Sequence, residues 1–195
     1  NTLWSRLKIF GMLSSREYLD VICDIKIKYK MYTWHDKEGV VHMSKYYDRA
    51  VELRAIIEPH YNCAQSVFLP FAEDAGLTEE MAYKVAANFG AGMKRASVCG
   101  AITGGLMVLG LYGVNDAETI ARYHTRLKDA HQGELDCAPL LVIAKQKGQE
   151  KKPHCDDMVY ECVTLVEEIL KEKLRKRNEV INAINIFADE NFNIK

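Results

Sequence analysis

The sequence has no excess of either charge: 26 Lys and Arg stand against 27 Asp and Glu, a formal net charge of −1 at pH 7. That balance removes the electrostatic footprint of a nucleic-acid or polyanion binder, and no nucleic-acid partner is expected. No N-terminal stretch joins a basic start to an apolar run and a small-residue cleavage site, because Arg6 and Lys8 interrupt the apolar positions of residues 1–13. A cytoplasmic protein is therefore expected. No two cysteines stand in a Cys-x-x-Cys pair, the spacing of zinc ribbons, ferredoxin clusters and thioredoxin-like sites, and the absence of Cys-x-x-Cys-His speaks against covalent haem. Six cysteines in 195 residues are too sparse for a small secreted disulfide scaffold. No acid–base pair or nucleophile triad stands out, so whether the protein is an enzyme stays open at this point.

What is present is an ordinary globular composition, 48% hydrophobic and 27% charged, in a chain long enough to pack one core. The one long uncharged run, residues 96–115, reaches the length of a membrane span, about 20 residues. Five glycines, Ser97, Cys99 and Asn115 lower its apolarity, so it reads as a buried central helix and no membrane span is expected.

Residues 1–42 differ in texture. Leu3–Leu19 has the pattern of a short helix. Ile25, Ile27, Tyr29 and Met31 alternate with polar residues, and a turn at Asp36-Lys37-Glu38-Gly39 leads to Val40, Val41 and Met43, the pattern of a β-hairpin extension. From Ser44 the period is helical. Tyr47, Ala50, Val51, Arg54 and Ile57 mark one face before Pro59. Asn62, Thr78 and Asp116 are helix caps, with Met81, Val85 and Phe89 inside the second of these helices and Ile120, Tyr123 and Leu127 inside the third. Gly92–Ala96 reads as a loop, Val98–Leu111 as a glycine-rich helix, Asp136–Lys147 as a short helix, Cys155–Arg175 as a long amphipathic one and Asn178–Phe187 as a last one. The expected fold is all-α: a compact bundle of short helices around a glycine-rich central helix, with a hairpin extension over residues 1–42, a four-cysteine domain over 43–175 and a tail helix over 176–195.

Cys63, Cys99, Cys137 and Cys155 each fall at or near an expected helix start. A helix N-terminus offers unpaired N–H groups and the positive end of the dipole, which favour thiolate and suit nucleophiles and metal ligands. Cys162, on an apolar helix face, and Cys23, among Val21 and Ile22, read as core filler. Gly100 and Gly104 share a helix face, so another helix or a bulky cofactor can come close to the backbone there.

The segment Cys99-Gly100-Ala101-Ile102-Thr103-Gly104, with Phe89-Gly90-Ala91-Gly92-Met93 before it, Gly105-Leu106-Met107-Val108-Leu109-Gly110 after it, Asn62-Cys63-Ala64-Gln65-Ser66 upstream and single cysteines at 137 and 155, resembles the C_GCAxxG_C_C family of redox-active proteins. The resemblance covers roughly residues 44–172. It implies one redox site built from Cys63, Cys99, Cys137 and Cys155, and a likeness to part of the split-Soret cytochromes implies an iron–sulfur centre for electron transfer to a redox partner that the sequence does not name. The residues themselves leave three chemistries open. The four thiols could hold an iron–sulfur or other metal centre, with Gly100 and Gly104 beside the cofactor; they could work as a thiol–disulfide couple without metal; or the domain could be an interaction module with structural zinc.

Other features carry milder readings. Gly90-Ala91-Gly92-Met93-Lys94-Arg95 could cradle an anion but lacks the preceding strand of a nucleotide site, and reads better as a loop shaping the Cys99 site. His154 and His60 neighbour cysteines, and His124 and His131 read as surface residues. Lys171, Lys173, Arg175, Lys176 and Arg177 read as a solvated helix C-terminus. Val180, Ile181, Ile184 and Phe187 form a stripe suited to pairing with a second copy as a homodimer.

Overall fold

The computed structural model describes residues 44–192, with side chains through Ala183. The expected hairpin, the helix at Leu3–Leu19 and Cys23 lie outside the described residues, as do the side chains of Ile184 and Phe187. Among the described residues the chain is helical, with no strand. The helices are α1 (Lys45–Ala55), α2 (Cys63–Ala72), α3 (Glu79–Ala86), α4 (Gly100–Leu111), α5 (Ala117–Ala130), α6 (Cys137–Gln146) and α7 (Lys151–Phe192). No helix among them is long and apolar enough to cross a membrane, and the long uncharged run of the sequence becomes the twelve-residue α4.

Among the described residues α2 and α4 pack against each other most extensively, and α7 lies against α1, α2, α4 and α6. The core they enclose contains Leu53, Val67, Phe71, Ile102, Leu109, Tyr123, Met158, Val159 and Val166, all essentially inaccessible to solvent. Their burial is the main favourable contribution to this fold. The caps act where the sequence places them. The side chains of Ser44, Asn62, Thr78 and Asp116 each accept from the backbone N–H three residues on. Asn62 also completes a capping box, since Gln65 Oε1 accepts from the Asn62 N–H at 2.8 Å.

Four local expectations are corrected. α1 buries Tyr46, Ala50, Leu53 and Arg54, whereas Val51 and Ile57 face solvent, so its inward face is turned from the expected one. α3 packs through the small residues Ala82 and Ala86, which let it approach α2 closely and leave Met81 and Val85 exposed. α7 begins at Lys151 rather than Cys155, because Pro153 falls within the first turn, where a missing N–H costs nothing. It then runs without a break through Phe192, so no separate tail helix starts at Asn178. The basic run accordingly lies in mid-helix, where Lys171 and Lys176 pair one turn back with Glu167 and Glu172, each at 2.8 Å.

Candidate functional site

Cys63, Cys99, Cys137 and Cys155 lie near enough to one another to alter each other's ionisation. Cys63 is the first residue of α2, directly behind the Asn62 cap. Cys99 caps α4, and Cys137 is the first residue of α6. The last two are tied by an antiparallel bridge between Val98 and Asp136, in which Cys99 N–H donates to Leu135 O at 2.9 Å and Cys137 N–H donates to Ser97 O at 2.7 Å. Because side chains alternate across extended backbone, Cys99 and Cys137 project to the same side of the bridge. Cys155 is the fifth residue of α7, one turn inside the helix rather than at its start. Its thiol lies close enough to that of Cys63 for the two to shift each other's ionisation.

Glycines make this approach possible. A Cβ on Gly100 would sit 3.3 Å from Cys63 Cβ and 3.0 Å from Phe89 O; one on Gly92 would sit 2.9 Å from Cys137 Cβ and 2.4 Å from Ser97 O. The face of Gly104 is filled by α2, with Ala64 O 2.8 Å from where its Cβ would be. The close neighbour of this glycine-bearing face is therefore a helix and the Cys63 side chain.

Between α3 and α4 the backbone takes an unusual course. Ala91, Gly92, Met93 and Lys94 are four consecutive residues with φ between 52° and 60°, and Ala96 follows at φ 59°. This left-handed turn stands where the sequence suggests a loop, and it places Gly92 against Cys137. A left-handed conformation costs an L-residue about 1–2 kcal/mol.

The four sulfurs differ in their protonation. The Cys63 thiol is pulled down to about 7, first by its side-chain interaction with Cys155 and further by the Arg54 guanidinium and its own backbone N–H, against the opposing effects of burial and Asp156. Cys155 is pushed far up, first by the same interaction with Cys63 and then by burial and the charge on Cys63. Burial pushes Cys99 up to about 12, although the N–H groups of Ala101 and Ile102 act in the opposite sense. Burial and Cys63 raise Cys137, with Lys151 opposing. Of the four thiols, then, Cys63 alone is lowered toward neutral pH, and Cys99, Cys137 and Cys155 are raised. At Cys63 the helix start contributes only through the residue's own N–H, behind the effects of Cys155 and Arg54, and at Cys99 and Cys137 burial outweighs it. Cys63, Cys137 and Cys155 are partly exposed, and Cys99 is buried.

Arg54, which the sequence marks only as one residue of a helix face, adds to the site. Arg54, whose side chain is 5% exposed, donates from Nε to Asp156 Oδ1 at 2.6 Å and from Nη1 to Tyr61 O at 3.0 Å. The available signal was a single arginine on a helix face otherwise made of Ala50, Leu53 and aromatic residues. His154 is buried beside Cys155, and burial holds its imidazole below the usual value, so it supplies no fixed positive charge. His60 is exposed, and His131 contacts Glu161 Oε2 at 2.7 Å. Cys162 is fully buried near Tyr123, whose hydroxyl donates to Ile102 O at 3.1 Å, in keeping with a core role. Among the described residues, no three or more His, Cys, Asp or Glu side chains are grouped as a ready metal-ion site.

A family model described as "Putative redox-active protein (C_GCAxxG_C_C)" matches residues 61–169, a span that contains all four cysteines of the site. No curated protein and no solved structure matches the chain.

Proposed function

Because the chain belongs to the C_GCAxxG_C_C redox-active family, we propose that its chemistry is two-electron thiol–disulfide exchange, with Cys63 as the attacking thiolate and Cys155 as the resolving thiol. The observation that carries this reading is the placement of Cys63, the first residue of α2, beside Cys155 near the start of α7, where the two thiols shift each other's ionisation and Cys63 is lowered to about 7. At neutral pH about half of Cys63 is then thiolate, against a few per cent for an ordinary thiol near 8.5. An attacking thiol with a pKa near ambient pH combines thiolate fraction with nucleophilicity to best effect.

The steps balance as follows. The Cys63 thiolate attacks one sulfur of a partner disulfide, forming a mixed disulfide and releasing one partner thiolate. With Cys63 now covalently bound and neutral, the side-chain interaction and the charge by which Cys63 raises Cys155 are gone, and burial remains. Cys155 gives its proton to solvent and attacks the Cys63 sulfur, and the second partner thiolate leaves. Two electrons have passed from the pair to the partner, and a Cys63–Cys155 disulfide remains. Cys99 and Cys137, held by the Val98–Asp136 bridge, line the same site.

A second reading places an iron–sulfur centre or zinc on Cys63, Cys99, Cys137 and Cys155. Its support is that the four thiols lie close enough to alter one another's ionisation. As arranged, however, the described side chains do not form a ready donor set of three or more groups. Protein purified without oxygen and given one equivalent of a small disulfide separates the two readings. Loss of two thiols per chain, with no bound iron, zinc or acid-labile sulfide before addition, supports the thiol couple. Stoichiometric metal with four unreactive thiols overturns it.

A further inference from the structure

We propose that Arg54 is the positioning residue of the thiol pair, a single guanidinium that ties the backbone just before Cys63 to the carboxylate just after Cys155. The inference rests on the thiol-pair reading and adds to it a residue of α1, outside the family-matched segment 61–169. Arg54 Nη1 donates to the carbonyl of Tyr61, two residues ahead of Cys63, and Nε donates to Oδ1 of Asp156, the residue that follows Cys155. The other carboxylate oxygen of Asp156 accepts from Lys152 Nζ at 2.7 Å, and Lys152 in turn reaches Arg54 O at 3.3 Å, which closes a ring of contacts joining α1 to the first turns of α7.

Stability alone does not call for this arrangement. A guanidinium and a carboxylate taken out of water suffer a desolvation penalty that apolar side chains of the same volume would avoid. What the pair does provide is direction. The planar fork of arginine presents two donors at a fixed angle, which a lysine cannot reproduce. Its two partners belong to the two segments that must present their sulfurs to each other, and those segments are otherwise about ninety residues apart in sequence. The same guanidinium brings a positive charge near the Cys63 sulfur. Arg54 bonds to neither sulfur; it positions them through Tyr61 and Asp156 and adds its charge near Cys63.

The test uses the intact chain and one equivalent of 5,5′-dithiobis(2-nitrobenzoate), with thionitrobenzoate release followed by stopped flow and the sulfur linkages mapped by mass spectrometry. Attack by Cys63 releases one thionitrobenzoate, and resolution by Cys155 releases the second. In Arg54→Met, both steps slow and the mixed disulfide on Cys63 persists, with resolution slower by about ten-fold or more for a displacement of about 1 Å. Arg54→Lys restores the first step, through its charge, while resolution stays slow, because one ammonium cannot hold both partners. Asp156→Asn keeps one acceptor but loses the charge pairing with Arg54 and the second acceptor that Lys152 uses, which loosens the clamp, and it removes the negative charge near Cys63, so the first step quickens while resolution slows. A merely structural role would move both steps together, in proportion to any fall in melting temperature. Resolution at the wild-type rate in Arg54→Lys and Asp156→Asn overturns the clamp even if Arg54→Met does not fold. Failure of the wild-type chain itself to release the second thionitrobenzoate overturns the thiol-pair reading, and the clamp with it.

Discussion

Replacing Gly104 by alanine sets two effects of opposite sign against each other, and the structure decides between them. Alanine in a helix interior is favoured over glycine by about 1 kcal/mol. At position 104, however, the new Cβ would lie 2.8 Å from Ala64 O, 3.0 Å from Ala64 Cα and 3.0 Å from Val67 Cβ. Two of these atoms are backbone, so no rotamer change relieves the contact and α2 must move away from α4. Overpacking of this kind costs about 1–3 kcal/mol, with rigid neighbours toward the upper end. The balance is a net loss of about 2 kcal/mol, or a fall of about 4–8 °C in melting temperature for a chain of this size. Gly110 is the internal control. It lies in the same helix and nothing would approach its Cβ within 4 Å, so Gly110→Ala gains up to about 1 kcal/mol. Thermal unfolding of both variants by circular dichroism is the assay. If Gly104→Ala is as stable as the wild type, or if both variants shift in the same direction, the close approach of α2 and α4 is wrong.

Three further outcomes follow from the site. Met93→Gly and Ala96→Gly, both exposed and at positive φ, relieve about 1–2 kcal/mol of backbone strain each while increasing unfolded-state entropy, for a net gain of about 0.5–1 kcal/mol; lowered urea midpoints in both would contradict the left-handed turn. The rate of Cys63 alkylation by iodoacetamide rises with pH to half its maximum near 7, because a lowered thiol gains its reactive charge as pH climbs through that value; a midpoint near about 8.5, the ordinary thiol value, refutes the poised thiolate. Asn62→Ala breaks the capping box and the bond from Nδ2 to Ala87 O, costing about 1–2 kcal/mol in chemical unfolding and slowing Cys63 alkylation, since the same cap sets the start of α2; unchanged stability would show that the box is not what anchors Cys63.

The parts of this molecule governed by short-range chemistry could be read from the sequence. Asn62, Thr78 and Asp116 announce helix starts because a side-chain oxygen three residues before a free N–H is a local event, and Cys63 and Cys137 follow caps directly. Cys155 was misplaced by one turn because Pro153 reads as a boundary, although a proline is equally at home inside a first turn. The α7 C-terminus was set too early by its basic residues; no glycine or proline follows them, and their partners Glu167 and Glu172 mark a helix interior. The left-handed turn was hidden for a different reason. Ala91, Met93, Lys94 and Ala96 have no preference for positive φ, so only the packing of Gly92 against Ser97 and Cys137 explains why the chain is held there. Arg54 was read as one mark among others on a helix face, because its partners, Tyr61 O and Asp156, are brought to it only by the tertiary fold.

The central claim is that Cys63 and Cys155 form one redox couple, and disulfide mapping of the oxidised chain tests it most directly. Protein prepared without oxygen is treated with one equivalent of a small disulfide, digested without reduction and analysed by mass spectrometry. The account predicts a single dominant cross-link joining the Cys63 peptide to the Cys155 peptide, with Cys99, Cys137 and Cys162 recovered as free thiols. A dominant cross-link between any other pair, or all four site cysteines protected by bound metal, would contradict it.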